Sequence, residues 1–92
     1  MISSSTRPRL ASKARLRFDR KSTRYMLLYP EKGLELNPTA ADIVKLCTGE
    51  HTVAAIVAQL AERYDKAAPE LEREVLAFLG ALADRGLVRD AV

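Results

Sequence analysis

Chemistry in so short a chain must start from a few side chains, and the most suggestive pair is Cys47 and His51. Four residues apart on a helix, a thiol and an imidazole would meet as nucleophile and base. Gly49 lies between them and favours a helix stop, which turns His51 into a loop and leaves Cys47 as a small buried thiol. As metal ligands the two fall at least one short of an open catalytic site, with no neighbouring Cys or His to complete the set. Glu70, Glu72 and Glu74 alternate along a helical stretch, so their carboxylates point to different sides as solvated charges beside a positive helix end. Gly33, Gly49, Gly80 and Gly86 stand singly, with no clustering that could cradle a phosphate. These residues describe a protein that is not an enzyme, with no metal and no cofactor of its own.

The elements that would position a site are clearer. Ala14 to Asp19 alternates strictly, with Ala14, Leu16 and Phe18 on one face and Arg15, Arg17 and Asp19 on the other, as in a half-buried antiparallel strand. After the polar turn Arg20 to Thr23, Arg24–Tyr29 is more continuously apolar and suits a middle strand, which Pro30 stops. Leu34–Leu36 resumes the alternation as a short third strand. Asn37 and Pro38 form a helix start, cap followed by first-turn proline. The first helix is expected over Pro38–Thr48, with Ala40, Ile43, Val44 and Cys47 inward. Thr52 caps a second, with Val53, Ile56, Val57, Leu60 and Tyr64 on one stripe. A third begins near Ala68 and Pro69, buries Leu71, Val75, Phe78, Leu79 and Leu82, and ends at Gly86, after which Leu87 and Val88 fold back. The fold class is α+β: a three-stranded antiparallel β-meander followed by three helices, winged-helix-like. Residues 1–9 are expected to form a flexible N-terminal tail and residues 10–92 a single domain.

Composition sets outer limits. The chain has 92 residues, 48% apolar and 29% charged. That is enough for one core, near the size at which folding buries little more than about 60% of the unfolded surface. No apolar run approaches the roughly 18 residues of a membrane span, and no apolar block follows the first arginines as in a secretory signal. One cysteine excludes an internal disulfide and fits a reducing compartment, so the expected location is the cytoplasm, with no membrane partner. The net charge of +3 is divided: residues 1–32 carry nine Lys or Arg against two acids, and residues 33–92 carry six against ten.

A basic chain, pI about 9.3, with a sheet and three helices raises a winged-helix DNA-binding regulator as an alternative. The helices carry few exposed cations, the third opens with three glutamates, and the strands precede the helices instead of following them. The expectation is therefore no nucleic acid. A carrier binding a quinone product is a further alternative, without a residue signature.

What remains is an interaction module. In a meander the first and third strands are both edges, and edges offer unpaired N–H and C=O groups unless charge, proline or cover blunts them. Arg15 and Arg17 blunt the first. The third, Gly33 to Asn37, has only Glu35 and could accept an added strand from an extended peptide. Four or five such bonds at roughly 1 kcal/mol each fall short of the ~8 kcal/mol of micromolar binding, so apolar pockets must supply the rest, with the third helix as their candidate wall. The exposed edge also leaves open a monomer or a swapped homodimer.

The stretches "ARLRFDR" (14–20), "YMLLYPEKGLELNPTAADIVKLC" (25–47), "TVAAIVAQLAERYD" (52–65) and "VLAFLGALADRGLV" (75–88) resemble the PqqD family, the pyrroloquinoline quinone biosynthesis protein D. The resemblance runs in collinear order over about residues 8–89. It implies a noncatalytic peptide chaperone, a recognition element for a small ribosomal precursor peptide. Such a protein binds the peptide's leader and presents it to a radical S-adenosylmethionine enzyme that crosslinks a glutamate to a tyrosine. The iron–sulfur clusters belong to that enzyme. Carried onto this chain, it points to Gly33, Leu34, Glu35 and Leu36 for backbone pairing, with Val75, Phe78 and Leu79 as apolar pocket candidates. Charge alone suggests Arg15, Arg17 and Arg24 for the enzyme-facing surface.

Overall fold

The computed structural model describes residues 2–30 and 32–91. Five strands and three helices follow in the order β1 (Pro8–Leu10), β2 (Arg15–Asp19), β3 (Arg24–Tyr29), β4 (Lys32–Leu36), α1 (Pro38–Lys45), α2 (Val53–Tyr64), α3 (Ala68–Asp84) and β5 (Val88–Asp90). The expected meander is present as an antiparallel sheet in the order β2-β3-β4, with Leu16 opposite Leu27 and Leu27 opposite Leu34. Asp19 shapes the first hairpin by accepting from the Lys21 N–H at 3.1 Å and the Ser22 hydroxyl at 3.0 Å.

The capping signals act as the sequence indicates. The Asn37 side chain accepts from the Ala40 N–H at 2.8 Å and the Thr52 hydroxyl from the Ala55 N–H at 3.1 Å, each satisfying a donor that the helix start leaves unpaired. Gly86 takes φ +71°, and the Gly86 and Leu87 amides close back on the carbonyls of Ala83 and Leu82. That left-handed exit turns Leu87 and Val88 into the core. Helix α1 ends at Lys45 rather than at Thr48, so Cys47 sits in the loop beyond it, still buried.

The core lies between the helices and one face of the sheet: Leu27, Ile56, Leu60, Leu71, Val75, Leu79, Leu82 and Leu87 are at most 2% exposed. At about 1.5–3 kcal/mol per fully buried side chain, this layer supplies the main force of folding.

The expectation of a flexible tail over residues 1–9 is corrected. Strand β1 pairs antiparallel with β5, Pro8 opposite Asp90 and Leu10 opposite Val88. Thr6 is buried, and its carbonyl accepts from Val53. The Ser4 carbonyl accepts from Ala54, the Pro8 carbonyl from Gly49, and the Leu10 N–H donates to Cys47. A three-residue strand has no readable period, and its partner lies about 80 residues away in sequence, so Arg7-Pro8-Arg9 looks like a polar tail.

Candidate functional site

Strand β4 is an edge of the three-stranded sheet; among the described residues no strand pairs with its far side. Alternation sorts its side chains. Leu36 faces the core at 3% exposure, and Leu34, opposite the fully buried Leu27, is half-buried on the same face. Gly33 and Glu35 point the other way. A Cβ on Gly33 would stand 3.3 Å from both Leu28 Cδ2 and Met26 Cε, so glycine gives these apolar side chains room to lie across the outer face. Glu35 holds Arg24 by a 3.0 Å contact between Oε1 and Nε. The main chain of Gly33 through Leu36 therefore presents the edge, while the side chains are committed to one face or the other.

Immediately past the end of β4 opens a cleft of about 230 Å³, walled by Asn37, Thr39, Ala40 and Ile43 on one side and by Lys66, Glu74 and Phe78 on the other. Lys66 and Glu74 approach to 3.7 Å at its rim. Of the three expected pocket residues only Phe78, half-buried, lines this cleft. Val75 and Leu79 are 0% exposed and belong to the core, a correction with a simple cause. A stripe of five apolar residues on α3 is wider than the strip that touches the cleft, and periodicity cannot separate stripe centre from stripe border. The α1 wall was missed because Thr39 has no signature beyond following the cap, while Ala40 and Ile43 on the inward stripe read as core.

Arg15, Arg17 and Arg24 do come together. The register sets Arg15 opposite Leu28, Arg17 opposite Met26 and Arg24 opposite Asp19, so all three share the sheet face turned away from the helices, beside Met26 and Leu28.

Cys47 has no nucleophilic character. Its thiol donates to the Ile43 carbonyl at 3.2 Å, and burial pushes its pKa up to about 12, so it stays protonated at neutral pH. Among the described residues no group of three or more His, Cys, Asp or Glu could hold a metal ion, and no helix is long and apolar enough to cross a membrane.

The fold is an α+β class in which an open-edged three-stranded sheet leads through a capped turn into three helices. Residues 24–88 match the family model described as Coenzyme PQQ synthesis protein D (PqqD), and the chain belongs to that family. A protein of Rhodopseudomonas palustris (strain TIE-1) named PqqA binding protein is 41% identical over 90 residues, covering 98% of this chain and 88% of the relative. Among solved structures, the PqqD truncation of Methylobacterium extorquens PqqCD is described as a functional, stand-alone recognition element for ribosomally synthesized and post-translationally modified peptides. It superposes with a TM-score of 0.84 at 34% identity over 97% of this chain and 95% of that one. Lasso peptide synthetase B1 complexed with the leader peptide shares the fold at a TM-score of 0.77 and 24% identity, over 90% of this chain and 98% of that one.

Proposed function

We propose that this chain is a noncatalytic adaptor that binds the PqqA precursor peptide through its leader, as an added strand on β4, and presents it to a radical S-adenosylmethionine enzyme. The observation that carries the reading is the open edge of β4 running directly into a cleft walled by Phe78, in a member of a family whose relatives are named for PqqA binding. The edge supplies four or five backbone bonds at roughly 1 kcal/mol each, and one apolar leader side chain in the cleft adds about 1.5–3 kcal/mol, together near the ~8 kcal/mol of micromolar affinity before ordering costs. The face bearing Arg15, Arg17 and Arg24, beside Met26 and Leu28, is the proposed enzyme-facing surface. Holding both partners raises the peptide's local concentration at the enzyme.

The test leaves the protein intact. Leader peptides N-methylated at single alternating amides are titrated by calorimetry; methylation at the positions that donate to β4 lowers affinity at least tenfold, while the intervening positions tolerate it. Uniform tolerance along the peptide would remove edge pairing from the proposal. This is cleaner than proline in β4, because Leu36 is a core residue and a Leu36→Pro change would unfold the sheet.

A further inference from the structure

On the side of α1 opposite the Phe78 cleft, a second hollow lies where the β2–β3 hairpin overhangs α1 and the end of α2, with Leu36 at the end of β4 on its floor. Its volume is about 490 Å³, and Phe18, Tyr25, Asp42, Lys45, Arg63 and Tyr64 line it. That is within the range of small-ligand sites, about 300–1,000 Å³.

Its charges do not balance. Asp42 is buried, accepts the Tyr64 hydroxyl on Oδ2, and faces two cations: Lys45 Nζ at 3.9 Å and Arg63 Nε at 3.7 Å. Both distances exceed a hydrogen bond, so neither cation has committed its donors to the carboxylate. The hydrogen bond to Asp42 raises the Tyr64 pKa, followed by desolvation, so the phenol keeps its proton and Asp42 stays occupied from the inner side. Arg24 also lines the hollow but is held by Glu35 at 3.0 Å, which leaves one negative charge against the two positive ones of Lys45 and Arg63 on a half-exposed rim.

The remaining walls are aromatic. Lys45 Nζ lies 4.2 Å from the Tyr25 ring centroid, and Phe18 packs edge-on against the same ring at 5.1 Å while staying 47% exposed. A cation rim above an exposed aromatic edge matches a carboxylate joined to an apolar group. Lys45 and Arg63 also border a neighbouring hollow of about 190 Å³ with Leu46 and Gln59, which extends the groove between α1 and α2 beyond the reach of a single small ion.

We propose that this hollow is a second polypeptide-docking site, taking a segment in which an Asp or Glu lies beside an aromatic residue, with the carboxylate on Lys45 and Arg63 and the ring against Phe18 and Tyr25. The site adjoins the end of β4 at Leu36, but Lys45, Arg63, Phe18 and Tyr25 all lie on other elements, so it does not depend on strand addition there. Two cations beside a buried acid are too few for a nucleic-acid backbone, which needs a longer basic track.

The probe is the blocked tripeptide acetyl-Phe-Glu-Phe-amide, titrated into the uniformly nitrogen-15-labelled full chain and followed by amide shifts. The expected result is a saturable response on residues 23–26, 42–46 and 63–65. It should be at least tenfold weaker with the Gln counterpart of the peptide and with the double variant Lys45→Gln, Arg63→Gln, whose own spectrum reports that it is folded. Prior saturation with the PqqA leader leaves this response in place. Equal binding of the Glu and Gln peptides, a response confined to β4, no saturable response, or displacement by a single-stranded oligonucleotide would each overturn the proposal.

Discussion

The molecule handles two short strands in opposite ways. At one end, β1 and β5 pair with each other, the Ser4 and Thr6 carbonyls accept from Ala54 and Val53 of α2, and the Pro8 carbonyl accepts from Gly49 of the α1–α2 loop. At the other end, β4 is paired with β3 on one side only. Both regions consist of short strands flanked by polar residues, so strand propensity does not distinguish them. The difference lies in what is within reach: β1 joins β5 on one side and bridges at Arg9 to Thr48 of the α1–α2 loop on the other, whereas among the described residues no strand meets the far side of β4. An edge left unpaired is normally a hazard, and its retention in so small a protein fits a role in accepting a guest.

The largest effect should come from breaking the closed end. Removing residues 2–10 eliminates the β1 ladder and the bonds to Cys47, Gly49, Val53 and Ala54, and should lower stability by about 3–5 kcal/mol from net hydrogen bonds of about 0.5–1.5 kcal/mol each plus lost burial. For a protein with a total of about 5–15 kcal/mol, urea unfolding would show this as a much lower midpoint. Leader affinity of the folded fraction should be unchanged; a parallel loss would mean that the two ends are not separable.

Next comes the contrast of two neighbours on α3. Leu79→Ala opens a core cavity and should cost about 2–5 kcal/mol of stability with little change in leader affinity. Phe78→Ala should do the reverse, weakening the leader about tenfold, or about 1.4 kcal/mol, with a smaller change in urea midpoint. Calorimetry and unfolding on both variants decide whether cleft and core divide where the structure divides them.

These two residues also mark how far the sequence could be read. The meander, the three helices, both side-chain caps and the Gly86 exit were legible because each is a local decision between neighbouring residues: Asn37 with Ala40, Thr52 with Ala55, Gly86 with Ala83. The β1–β5 ribbon was not, since pairing across the whole chain leaves no local trace. For the site, strand order and low charge marked Gly33 to Asn37 as an open edge, and the family resemblance implied Gly33 to Leu36 as the proposed pairing residues, whereas separating Phe78 from the buried Val75 and Leu79 required knowing how α3 is rotated toward α1. That rotation comes from packing of whole helices and has no single-residue signal.

Alkaline pH offers a milder way to act on the closed end. Cys47 lies beneath β1 and its carbonyl accepts from Leu10. Burial lifts its thiol from the ordinary 9.0 to about 12, so the folded state holds a proton that the unfolded chain releases. Its contribution is intact below about pH 9 and is lost as pH rises toward 12, at about 1.4 kcal/mol per pH unit. Tyr64, also raised, adds to the slope above its ordinary 10.0. Denaturation measured across this window should flatten in Cys47→Ala; an unchanged slope would assign the loss to other groups.

The smallest effect tests the open end most sharply. Glu35 sits in the middle of β4, so a contact map of a leader strand would include it, yet its side chain is on the outer face and tied to exposed Arg24. Glu35→Gln keeps the main chain and removes the charge. An exposed pair of this kind contributes about 0–1 kcal/mol, so the variant should unfold within about 0.5 kcal/mol of the parent. If the guest is held by β4's backbone and by the cleft, leader affinity should also move less than about twofold, or about 0.4 kcal/mol. A tenfold drop in calorimetry would mean that the guest reads the side chains of the outer face, and the edge would then be a support for that face and not the binding surface.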